Sequence, residues 1–407
     1  MRGLSPARDT QGWDLDGSMK RLRDLLVSAG FALLLIAGGI LTLVRGWDDS
    51  DYLYYENRNR TELPELSAAA LADGAFMSGL ESYLADRVPL RLTMLIEQTR
   101  AELAMGKPLI NDVVITDEFL LPYKGYKKWE MGQAETNAVL AAADRQLALA
   151  EAAAEYGGIC VYMSVPEQFS YFSEKYPDYM DNRRDYLEQM ADAFRAAMDE
   201  RGLRLLEMGA VFDELGRPEE CYYRSDHHYN FAGALVCYHT LMDYLREETG
   251  LELAELTEGE NLILHESGNR FMGSYGRKLY CLWESEDRLV WGEPTEPVAF
   301  TREDNGTASE PYLVKHPDYE WQDIMYAAYM GGDMAETVLR TDRPELPSLL
   351  VIGESYTNAL ETLLWWSFDE MRSLDLRHYT EQSAEEYIRL HQPDIVVVVR
   401  DDATYIS

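Results

Sequence analysis

The feature that most constrains this chain is an uncharged run of twenty residues, Leu25 to Val44 (LLVSAGFALLLIAGGILTLV). As a helix rising ~1.5 Å per residue, it would reach across the ~30 Å hydrocarbon core of a bilayer. A cleaved signal peptide would have a shorter apolar stretch, roughly 7 to 15 residues, ended by a small-residue cleavage site. Thr42-Leu43-Val44-Arg45-Gly46-Trp47 offers no such pattern. The core helix of a soluble protein is rarely so uniformly apolar. The run is therefore expected to be an uncleaved transmembrane helix, residues 25–44. Lys20, Arg21 and Arg23 precede it and only Arg45 follows closely, so the positive-inside rule puts residues 1–24 in the cytoplasm and the chain from about 46 outside, with Trp47 at the interface.

Charge agrees with that division. The chain of 407 residues carries a net charge of -35, yet residues 1 to 47 hold six basic and four acidic side chains, a net of +2. The remainder holds -37, which repels phosphate backbones and excludes nucleic acid as a partner. Hydrophobic residues make up 46%, so the acidity belongs to the surface of a folding chain. Four scattered cysteines form neither a disulfide framework nor a C-x-x-C zinc motif.

Residues 45–65 include the polar stretch Asn57 to Pro64 and read as a linker, with one extracytoplasmic domain, 66–407, beyond it. From about 66 to 105 the pattern is helical, broken at Pro89. Leu140, Ala143, Leu147, Ala150 and Ala154 mark one helix face, and Leu187, Met190, Phe194 and Ala197 another. Between and after these fall apolar runs that read as strands: Ile159 to Val165, Leu203 to Leu206, Ser348 to Ile352, Met371 to Leu376 and Ile395 to Val399. Helices alternating with continuous apolar strands predict a mostly parallel sheet covered on both faces, a three-layer α/β/α sandwich. Residues 251–340 read as an irregular insertion.

Two spots carry chemistry. Ser225-Asp226-His227-His228-Tyr229-Asn230 sets a carboxylate beside imidazoles just before a helix, an arrangement that can fix one tautomer of a general base. The same Asp226 could instead cap that helix. Gly353-Glu354-Ser355-Tyr356-Thr357-Asn358 puts a serine at the carboxyl end of a buried strand, where open α/β sheets place their sites and where helix N–H groups can hold an oxyanion. Ser355 could equally be a helix cap, and Thr357 departs from the G-x-S-x-G elbow. Asn358 is a candidate oxyanion donor, and Glu167, after the strand ending at Val165, a candidate cleft residue. A metal motif built on Asp226, His227 and His228 would need a D-x-D partner at a strand end, and none is visible.

Asp226-His227-His228-Tyr229 resembles the signature of the DHHW protein family. Glu81 to Arg91, Phe271-Met272-Gly273-Ser274, Tyr326 to Gly332, Leu349 to Tyr356 and Leu374 to Tyr379 are similar to other blocks of that family. It is related to the alginate O-acetyltransferase branch of the SGNH hydrolases. The resemblance implies Ser355 as nucleophile, His228 as base and Asp226 as its orienting group, with no metal or cofactor. Tyr229 stands where Trp is usual and Glu354 where Asp is usual; Tyr229 and Tyr356 join Asn358 and Glu167 as expected substrate contacts. The implied activity is O-acetyl transfer to, or hydrolysis from, a cell-surface polysaccharide, with a multi-span membrane acyltransferase as donor. The alternative is an SGNH-like subunit that binds glycan without turnover, motivated by Glu354.

Overall fold

A computed structural model describes residues 12–45, 52–180 and 183–402, with side chains given outside 12–18 and 43–45. Trp47 and the acidic residues 48, 49 and 51 lie outside the described residues, as do residues 1–11 of the expected cytoplasmic tail. The chain divides into two compact units, Met1–Glu102 and Leu103–Ser407. The division therefore falls after Glu102 and not at the end of the expected linker.

In the first unit, helix α1 (Gly12–Arg45) contains a segment, Met19–Thr42, long and apolar enough to cross a membrane and wholly unburied. The stretch expected to be a linker is folded. Tyr52–Leu53 pairs antiparallel with Arg58–Asn59, and Asp86 ties the segment down by accepting two bonds from Arg58 (2.8 and 2.7 Å) and two from Thr61 (2.9 Å each). Those bonds, Arg58's first, hold the Asp86 carboxyl well below the usual carboxylate range against the opposing effect of burial. Polar composition suggested a solvated tether, but the charges are spent on one another.

The second unit is built on an eight-stranded sheet: β1 (Ile159–Val165), β2 (Arg204–Glu207), β3 (Thr301–Asp304), β4 (Thr307–Ser309), β5 (Glu336–Arg340), β6 (Leu349–Ile352), β7 (Glu370–Leu374) and β8 (Ile395–Asp401), in spatial order 4-3-5-7-6-8-1-2. Strands 7, 6, 8, 1 and 2 are parallel, and 5, 3 and 4 extend the sheet antiparallel. The central strands have continuous apolar runs because both faces are covered; Ile395, Val396, Val397 and Val399 are fully buried. Helices α2 (Gln133–Ala154), α3 (Arg184–Glu200) and α6 (Ala384–His391) pack together as one layer, and α4 (Phe231–Thr249) packs with α5 (Asn358–Leu364). The expected three-layer α/β sandwich is the fold.

Two expectations change. The segment 251–340 is ordered and supplies β3, β4 and β5 together with a hairpin, Leu262–Glu266 with Val290–Pro294. Its strands carry charge, as in Thr301-Arg302-Glu303-Asp304, and so lack an apolar run. Helix α2 buries Val139, Ala142, Ala143, Gln146, Leu149, Ala152 and Ala153, while Leu140 is 39% exposed. Alanines fall on most sides of this helix with polar residues among them, so its periodicity left the buried face undetermined.

Candidate active site

The nucleophile arm begins at the carboxyl end of β6. Gly353 donates its N–H to Leu374 O (3.0 Å), and a Cβ there would lie 2.3 Å from Thr357 Cγ2 and 2.9 Å from Val399 O, so only glycine fits the exit from the sheet. Glu354 is extended, and Ser355–Thr357 forms a 3-10 turn that runs into α5. The Ser355 and Tyr356 N–H groups open this turn, where helical backbones have no internal acceptors.

The base arm is the loop before α4. Tyr222 bridges Tyr229 antiparallel, Tyr223 N–H donates to His228 O (3.3 Å), and Asn230 N–H donates to Cys221 O (2.8 Å). The helix cap is Asn230, whose Oδ1 accepts from Gly233 N–H (3.1 Å). Asp226 is thus free of the capping role and faces His228.

The two arms meet. His228 Nε2 lies 2.8 Å from Ser355 Oγ, and His228 Nδ1 lies 2.6 Å from Asp226 Oδ1. Asp226 Oδ1 also accepts from the His228 N–H (3.1 Å), and Oδ2 accepts from the Ser274 N–H (2.6 Å). Burial by itself would raise the Asp226 carboxyl, but the charges on His228 and His227 and these hydrogen bonds outweigh it and hold the group well below the usual range. Asp226 is therefore an anion and an acceptor, which requires the proton on His228 Nδ1 and leaves Nε2 with a lone pair facing Ser355. Tyr326 stacks flat on the imidazole, ring centroids 3.6 Å apart at 2°.

Ser274 reaches Asp226 because Gly273 lets the backbone close in: a Cβ there would sit 2.3 Å from Ser225 O and 2.5 Å from its carbonyl carbon. Ser225 is fixed in turn by Asp287, whose carboxylate accepts from the Arg224 and Ser225 N–H groups (3.0 and 2.8 Å) and from Ser225 Oγ (2.5 Å). Residue spacing gave no sign of Ser274, Tyr326 or Asp287 as partners of this loop. The block Phe271 to Ser274 was noticeable only through its resemblance.

The expected substrate contacts fall otherwise. Tyr229 is fully buried, its hydroxyl donating to Tyr356 O; Tyr356 is 3% exposed and donates to His227 O (2.8 Å). Both brace one arm against the other, and neither offers a surface to substrate. Asn358 is buried, and its amide donates one bond to Asp333 Oδ1 (3.0 Å). Glu167, nearly buried at the end of β1, has Oε1 3.3 Å from Lys124 Nζ and Oε2 without a hydrogen bond among the described residues. Glu354 is engaged by Arg377 (3.1 Å), which also binds Asp333 and Asp375. Although ligand atoms of Asp226, His227 and His228 lie within 4.8 Å of one another, both His228 nitrogens are already committed, and the set does not suit a metal ion.

A Ser-His-Asp relay at the carboxyl end of a parallel sheet is the arrangement of an SGNH hydrolase-like domain. The sequence model of the family described as SGNH hydrolase-like domain, acetyltransferase AlgX, matches residues 126–279. Among solved structures the chain is similar to Bacillus cereus PatB1, at 20% identity and a TM-score of 0.60 over 72% of this chain and 96% of that one. PatB1 with a sulfonyl adduct gives 19% and 0.59 over 72% and 97%. A DHHW family protein from Eubacterium siraeum gives 19% and 0.50 over 74% and 93%. No curated protein matches.

Proposed function

We propose that this protein is a membrane-anchored O-acetyltransferase or acetylesterase acting on hydroxyls of a cell-surface polysaccharide through an acyl-serine. The observation that carries the reading is the continuous relay from Ser355 Oγ to His228 (2.8 Å) to Asp226 (2.6 Å). His228 Nε2 takes the Ser355 proton as Oγ bonds to the acyl carbonyl carbon, and Asp226 stabilises the imidazolium. The negative carbonyl oxygen of the tetrahedral adduct is held by the Ser355 and Tyr356 amides at the start of the turn. Collapse breaks the bond to the donor oxygen, which leaves with the proton from His228. An acceptor hydroxyl then gives its proton to Nε2, attacks the acyl carbon and frees Ser355; water in that place makes the reaction hydrolysis. Glu167, in the loop after β1, is proposed as a residue lining the substrate cleft.

Helix α1 is proposed as the anchor, N-terminus inside, so that the relay lies outside the cytoplasm, with a multi-span membrane acyltransferase supplying the acyl group. Glu354, the motive for a non-catalytic subunit, is bound by Arg377, and the relay is complete beside it. Acetyl release from acetylated oligosaccharide, and transfer to unacetylated oligosaccharide, should vanish in Ser355→Ala with the fold retained. Unchanged turnover in that variant refutes the assignment.

A further inference from the structure

The turn Val88-Pro89-Leu90-Arg91 in the first unit breaks a local rule. Arg91 N–H donates to Val88 O (3.1 Å), Pro89 takes the second position, and Leu90, third, has φ +60°. That pattern calls for glycine at the third position, because a side chain there meets its own backbone. The chain instead puts a leucine there and leaves it 74% exposed, flanked by Val88 at 39% and Leu92 at 46%. Neither local conformation nor burial within the unit accounts for three apolar side chains held outward.

What they stand beside does account for them. The same turn lines a cavity of about 700 Å³ together with Leu41, which belongs to the apolar segment of α1, and with Tyr52, Tyr54 and Tyr55. Arg60, Arg87 and Arg91 line it with Glu56 and Asp86; Arg91 is paired with Glu56, and Asp86 with Arg58. Arg87 donates to the Thr61 and Tyr83 carbonyls and has no carboxylate partner among the described residues. Tyrosine and arginine at the end of a membrane span are the side chains that suit the headgroup layer, where one end of a group is apolar and the other wet.

We infer that the Leu90 turn is a second membrane contact: Val88, Leu90 and Leu92 enter the outer-leaflet interface next to α1, and Arg87 behind them faces lipid phosphates. The inference rests on α1 being a membrane anchor. It deepens that reading by making the first unit a seat on the bilayer and not a flexible tether.

The test uses the full chain with Cys281→Ser, which leaves only the buried thiols, and a nitroxide on Leu90→Cys, in vesicles of phosphatidylcholine and phosphatidylglycerol. Flotation of the protein with the vesicles through an alkaline wash checks the anchor separately. Relaxation of the nitroxide by oxygen and by an aqueous nickel chelate, calibrated with lipids labelled at known depths, should put residue 90 at or below the phosphates. Flotation with the label fully open to the nickel chelate overturns the inference and leaves the anchor standing; failure to float overturns both. In whole membranes, a benzoylphenylalanine at position 90 should crosslink to lipid. A discrete crosslinked protein would overturn the inference in favour of a protein partner.

Discussion

Replacing Asp226 with Asn tests the relay at the one link where shape can be kept and chemistry changed. In the native site Oδ1 accepts from both His228 N–H groups, ring and backbone, and Oδ2 accepts from the Ser274 N–H at 2.6 Å. An asparagine has one acceptor oxygen for these three donors. With its NH₂ toward Ser274, two donors face each other at that distance, and an unsatisfied buried donor costs about 1–3 kcal/mol. With its NH₂ toward His228, the imidazole must accept at Nδ1, the proton moves to Nε2, and Nε2 can no longer take the proton of Ser355. Loss of the correct tautomer in a serine relay costs on the order of 10⁴ in kcat, or about 5 kcal/mol of transition-state stabilisation. The assay is acetyl-ester turnover by Asp226→Asn against the parent, with circular dichroism to show the fold intact. A loss of less than tenfold would refute the orienting role of Asp226.

Gly273→Ala should lower stability by about 2 kcal/mol or more, because the new Cβ meets the Ser225 backbone at 2.3 Å, and should cut turnover in whatever protein remains folded; a urea midpoint equal to the parent's contradicts this. Glu361 is buried, with its carboxyl raised by burial despite hydrogen bonds from Thr357 and Ser373 Oγ, and these bonds tie the serine turn to β7. Glu361→Gln should be tolerated and Glu361→Ala should cost about 2–3 kcal/mol, measured by denaturant unfolding; equal losses would show that the bonds do not matter. Burial and then the charge of His228 push the His227 imidazole down to about 3, so between there and its ordinary 6.5 the unfolded chain binds the extra proton and stability falls as pH falls. Asp226, depressed in the fold, adds a loss at still lower pH. The side chain of His227 is 36% exposed, which tempers the effect. His227→Gln should lose less stability than the parent between pH 7 and pH 5, and an identical loss would assign the acid sensitivity elsewhere.

Legibility in the sequence followed the physics of burial. The parallel strands β1, β6 and β8 announce themselves because a strand covered on both faces must be apolar at every position. Strand β3 does not, because its Arg302 is buried and satisfied by Asp304 and by the carbonyls of Tyr312 and Met330, contacts that only the tertiary fold creates. At the site, Ser355, His228 and Asp226 stand out in short motifs that equally suit helix caps, and it is the family resemblance that implies their catalytic roles. Ser274 does not stand out, because it acts through a backbone N–H that any residue possesses and comes from a segment 48 residues further along. Tyr229 and Tyr356 look from sequence like groups facing substrate, yet each turns its hydroxyl inward to a carbonyl of the opposing arm.

Ser355 is proposed as an activated nucleophile. The most direct measurement is exposure of the full-length protein to a fluorophosphonate, followed by intact mass and peptide mapping. A single adduct on Ser355 is expected, formed rapidly in the parent and at least a hundredfold more slowly, on the order expected for loss of a general base, in His228→Ala. An unmodified protein, or an adduct on another residue with Ser355 untouched, would contradict it.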